Sequence, residues 1–98
     1  MDSNGYPDDT EIETIRTWAT DYNALMEYVR ELWKYAKEGF WTKTIDDEGD
    51  ITYVIATGGW SGNESIIEAL EENMMFWLMT WQMSRRGGQF TFVVNKGA

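Results

Sequence analysis

From Ile66 to Met83 the chain is amphipathic at first and then apolar on nearly every side, which constrains the fold more than any other stretch. At about 100° per residue, Ile66, Ile67, Leu70, Met74, Trp77, Leu78 and Trp81 align as one stripe, the expected core face of a helix running from near Ser61 to about Arg85. Glu64, Glu68, Glu71 and Glu72 take the far side, and further along that side come Met75, Phe76, Met79 and Met83. A helix apolar all round must be covered on more than one side. The second stripe is therefore expected either inside the monomer or at an interface with a second copy or a foreign protein. Burial is the simpler expectation. Methionine adapts well to varied contacts, and four exposed residues of this size would form a patch large enough to mark an interaction site. Met75, Phe76, Met79 and Met83 are thus the candidate interface residues.

A chain of 98 residues is one domain's worth, and 43% hydrophobic content with 15% aromatic is too rich for a disordered chain. Six tryptophans raise the question of exposed aromatic binding sites, but Trp18, Trp33, Trp77 and Trp81 fall on expected core faces. Trp41 and Trp60 are left as the two with room to be exposed. No apolar run reaches the roughly 20 residues of a membrane span, and the acidic N-terminus does not read as a signal or transit peptide. The expectation is a soluble, cytoplasmic, acidic domain.

Residues 1–10 are polar and contain Gly5 and Pro7, so a loose N-terminal arm is expected. Residues 11–19 fit either a short strand or a helical turn that tucks Trp18 inward. Thr20 or Asp21 can cap a helix whose inner face is Leu25, Met26, Val29, Leu32, Trp33 and Ala36, with Gly39 to end it. Two β-branched and aromatic runs, 40–45 and 51–56, flank an acidic turn and predict a hairpin. Three glycines lie in the loop 57–62, and Ser61 with Glu64 has the spacing of a capping box. Arg85 and Arg86 suit the C-terminus of the long helix, Gly87 and Gly88 its stop, and 89–94 a last strand. The order α-β-β-α-β predicts an α+β fold: a two-layer sandwich of a three-stranded, mainly antiparallel sheet with two helices on one face.

The net charge of −9 is distributed unevenly: residues 1–37 carry −4, residues 38–72 carry −8, and residues 73–98 have no acid and carry +3. Binding to nucleic acid or to an anionic membrane needs a basic footprint that this chain does not offer. Plain solubility explains the acids most simply; a basic protein partner is the functional alternative. The candidate acidic surface is Asp46, Asp47, Glu48 and Asp50 at the hairpin tip with Glu64, Glu68, Glu71 and Glu72 on the second helix.

Histidine and cysteine are absent, which removes imidazole and thiolate metal sites and the usual nucleophile–base pairs. The acidic turn has oxygen ligands but not the frame of a calcium loop, so no metal is expected. The glycine loop ahead of Glu64 lacks the Gly-Lys-Ser/Thr ending of a phosphate cradle, and no cofactor is expected either. Ser61 has no histidine to activate it. No catalytic residue is assigned.

Between Trp60 and Phe92, Ser61-Gly62-Asn63-Glu64, the Phe76-Trp77 pair with Trp81, and Arg86-Gly87-Gly88 ahead of an aromatic strand resemble a family of small bacteriophage and prophage proteins. That resemblance implies a phage accessory protein and brings no activity with it. The expected function is non-enzymatic protein binding, in which acidic surface is offered to a basic, nucleic-acid-binding host protein. The alternative is a small structural homodimer joined through the methionine stripe. An enzyme using paired carboxylates is the remote case.

Overall fold

The computed structural model describes residues 1–96. Its first helix starts where Asp8 accepts the N–H of Glu11 and the Glu11 carboxylate accepts the N–H of Asp8 (2.8 and 2.9 Å), a capping box opening α1 (Asp9–Thr17). Residues 11–19, open between strand and helix by sequence, are thus mostly helical. The expected loose arm folds back on the body. Asp2 accepts the N–H groups of Asn4 and Tyr6, and the Tyr6 ring lies 4.5 Å from that of Trp60.

Asp21, in the left-handed region at φ 47°, accepts the N–H of Ala24 and caps α2 (Tyr22–Leu32). This helix ends earlier than its apolar spacing suggests. Trp33 leaves the helix as its C-cap in extended conformation, and the residue after it, Lys34, has both backbone groups taken by the side chain of Asn63 (3.0 and 3.1 Å). A single 3₁₀ turn, Ala36–Glu38, then leads through Gly39 into the hairpin β1 (Trp41–Ile45) and β2 (Ile51–Ala56). The hairpin register pairs Trp41 with Ile55 and Ile45 with Ile51.

The long second helix of the sequence reading does not form. It is cut at Asn73 into α3 (Ser61–Glu72) and α4 (Met74–Thr80), and residues Trp81–Arg85 are strand β3. Gly87 and Gly88, expected to stop a helix, both have positive φ (85° and 80°) and turn β3 back into β4 (Gln89–Val94). Gly88 has a second reason to be glycine, since a Cβ there would stand 2.3 Å from the Thr57 hydroxyl oxygen. The Ser61–Glu64 capping box is likewise absent: Trp60 is the N-cap, and Ser61 Oγ donates instead to the Tyr6 hydroxyl (3.2 Å).

The α+β class therefore holds, with four α-helices and a four-stranded antiparallel sheet of order β1-β2-β4-β3 among the described residues in place of two helices and three strands. Tyr53, Ile55, Phe92 and Val94 point from the two central strands into the layer of helices. There they meet Ile15, Leu25, Met26, Val29, Ile66, Leu70 and Phe76, all buried. Among the described residues no helix is long and apolar enough to cross a membrane.

Candidate functional site

On α4 the buried residues are Phe76 and Thr80, one turn apart. Phe76 packs against Tyr22 (5.4 Å) and Phe92 (5.3 Å), and the Thr80 hydroxyl donates to the Phe76 carbonyl (2.7 Å). This ridge holds the helix on the sheet, together with the half-buried Trp77, whose ring packs on Phe90 and Phe92 (6.3 and 5.5 Å). The helix's other two ridges, Met74–Leu78 and Met75–Met79, face away from the body. Trp81 continues the surface, its ring stacked on Trp77 at 5.9 Å, whereas Met83, exposed on β3, pairs with Thr91 and points to the opposite face of the sheet from Trp81, which pairs with Phe92. Met74, Met75, Leu78, Met79 and Trp81 are between 40% and 77% exposed. Together they leave on the order of 600 Å² of mostly apolar surface, at the upper end of what a monomer's largest patch shows.

Of the four candidate interface residues, Met83 is exposed on the other face of the sheet, and Met75 and Met79 are on this surface. Phe76 is not, because the break at Asn73 rotates α4 so that Phe76 points into the core. The same break turns out Met74, Leu78 and Trp81, which the continuous helix placed inside. Trp81 and Trp41 exchange roles: Trp41 is buried between Trp33 and Tyr53 (5.7 and 6.0 Å), and its ring N–H has no acceptor. Trp60 is half-buried, with Tyr6 at one contact and the Lys34 ammonium 3.6 Å from its ring centre at another.

Asn73 makes the surface possible, and the sequence reading missed it. Its backbone N–H donates to the Ala69 carbonyl and closes α3, while its Oδ1 accepts the Phe76 N–H and opens α4 (3.0 and 3.3 Å). Its Nδ2 donates to the carbonyls of Ile15 and Trp18 at the end of α1 (3.0 and 2.8 Å). Asparagine is a strong N-cap, and that preference inside an apolar run was the available signal.

The acidic residues separate into two groups. At the hairpin tip, Asp46 accepts the N–H groups of Glu48 and Asp50 (2.9 and 3.0 Å), and Asp50 accepts the N–H of Lys96 (2.7 Å). These carboxylates shape the turn, with Asp47 and Glu48 exposed beside them. On α3, Glu64, Glu68 and Glu71 wall an open recess of about 280 Å³ whose other sides include Ile67, Phe90, Thr57 and Gly88. Glu72 is turned elsewhere and pairs with Arg16 (3.4 Å), which also pairs with Glu13. The recess adjoins the Thr57 end of β2 and the tip lies past Ile51, so the strand holds the two groups about 20 Å apart. The tip and the helix wall do not make one acidic face.

Among the described residues no three carboxylates converge as a metal site. Tyr53 is the one strongly shifted side chain: burial, with Glu27 and Asp21 nearby, pushes its hydroxyl up to about 12. That hydroxyl donates to Asn23 of α2 (2.7 Å), a part-buried contact between the sheet and the helix. No family model matches the chain, and no curated protein or solved structure is significantly similar to it.

Proposed function

We propose that this chain acts by binding another protein rather than by chemistry, as an accessory protein of the phage type that residues 60–92 resemble. The observation that carries the protein-binding reading is the exposed apolar face of α4 and β3. Two ridges of large apolar side chains turned to solvent add little to the fold of the monomer. They have the size and composition of a contact surface. Methionine contributes three of the four exposed residues on α4, which suits a face that adapts to its partner.

The sheet edges support the same reading. β1 and β3 are the two edges, and an unprotected edge invites pairing with other chains. β1 carries Lys43, paired with Glu27 at 2.8 Å, and runs into the acidic tip. β3 has no charge from Trp81 to Ser84, and the whole stretch from Asn73 to Ser84 is uncharged. A basic partner, as the charge balance suggests, would have to use the α3 wall alone, since the tip is too distant to join it. The apolar face is the stronger feature.

The test is to recover partners from the native host with the full chain and to map each complex by hydrogen exchange. Residues 74–83 should be protected at least roughly ten-fold by a specific partner. Leu78→Glu should abolish the complex with its circular dichroism unchanged. A specific complex that maps elsewhere and survives Leu78→Glu overturns the reading.

A further inference from the structure

We infer that the partner seated on this face is a second copy of the same chain, with α4 packed against α4 about a two-fold axis. The inference rests on the protein-binding reading above and names its partner. Three observations carry it.

The first is area. Two faces of on the order of 600 Å² each bury on the order of 1,200 Å² in contact, above the roughly 1,000 Å² that a specific interface needs. The apolar face suffices for a dimer without any rearrangement of the fold.

The second is charge. Two copies that each carry −9 repel one another, and residues 1–72 hold all of the acids. Contact through most of that surface sets carboxylate against carboxylate. The uncharged stretch Asn73–Ser84 lets the two bodies meet with the acids held away from the contact.

The third is shape. Met74–Leu78 and Met75–Met79 are parallel ridges one turn long, and a two-fold axis lays such ridges into the grooves of an identical helix. Continuation of the sheet from β3 to a partner strand is the less suitable geometry. The register of β3 shifts between Trp81 and Met83, and an irregular edge is a poor template for another strand. The contact is therefore made by side chains of α4 and Trp81.

Sedimentation equilibrium of the full chain tests this, at about 0.05 M and about 0.5 M salt and at protein concentrations up to about 100 µM. The expected mass is about twice 11.4 kDa, and the dissociation constant should fall several-fold at the higher salt as the mutual repulsion is screened. That direction is opposite to the one expected for an acidic surface holding a basic partner. Leu78→Glu and, separately, Met75→Lys should raise the dissociation constant at least roughly 100-fold. Ile45→Glu, an equally exposed apolar site on the far edge, should leave it unchanged. Circular dichroism of each variant checks its fold.

A single-chain mass at both salts overturns the inference, as does a dimer that survives both α4 variants. A dye for apolar surface then separates the two levels of the argument. A monomer that binds the dye, and loses it on Leu78→Glu, removes the second copy and leaves the protein-binding reading standing. A monomer that binds no dye removes both.

Discussion

α3 and α4 follow one another with a single residue between them, yet they relate to the core in opposite ways. α3 buries Ile66, Ile67, Ala69 and Leu70 and turns its glutamates to water. α4 buries one aromatic ring and one hydroxyl and turns its methionines and Leu78 to water. The first helix is spent on the monomer. The second is held to the monomer by Phe76, Trp77 and Asn73 and presents its methionines and Leu78 outward. High apolar content alone therefore does not report burial; the position of the helix break decides which side chains are inside.

The largest challenge to this contrast is Phe76→Ala. If Phe76 is the anchor of α4, its loss should cost about 3–5 kcal/mol in chemical denaturation. A cost below about 1 kcal/mol would mean that α4 is not fastened as described. Next is Asn73→Ala, which removes the bonds of its side chain to the carbonyls of Ile15 and Trp18 and to the Phe76 N–H. About 2–4 kcal/mol is expected from three lost bonds to buried groups. Amide exchange should rise in α4 and in the end of α1 together, because one side chain serves both.

The anchored half can be followed by pH through Tyr53. Its hydroxyl is raised from 10.0 to about 12, so the folded state keeps a proton that the unfolded chain releases. Its share of stability is complete below pH 10 and is lost as pH rises from 10 to 12. The share is on the order of 2 kcal/mol, and Tyr53→Phe should flatten the denaturation free energy over that window. The smallest effect is expected on the outer ridge: Leu78→Ser should change monomer stability by about 0.5 kcal/mol or less, measured on a monomeric Met75→Lys background. A larger loss would place Leu78 among the groups that hold the fold.

Much of the local structure was present in the pattern of residues. A cap at Thr20 or Asp21, the inner face of α2, the hairpin 41–56 and the last strand were all readable, because each depends on neighbours a few positions away. Where the reading failed, a distant side chain had intervened. Asn63, 29 residues away, takes both backbone groups of Lys34 and ends α2. Asn73 reaches back 58 residues to Ile15 and splits the long helix. Gly87 and Gly88 stop a helix or turn a hairpin equally well, and β4 offered an edge that made the hairpin the lower-energy choice. On the exposed face of α4, Met75 and Met79 were singled out by periodicity, while Leu78 and Trp81, also exposed, were assigned to the core side.

Composition and local pattern were enough to set the α+β class, the acid-free segment 73–98 and the lack of histidine and cysteine side chains, since none of these depends on what touches what. Which of the apolar residues between Met74 and Met83 face water was settled by the folded arrangement. A rotation at one asparagine interchanges the two sides of a helix, and that rotation is set by hydrogen bonds to carbonyls that the chain brings near only once it has folded.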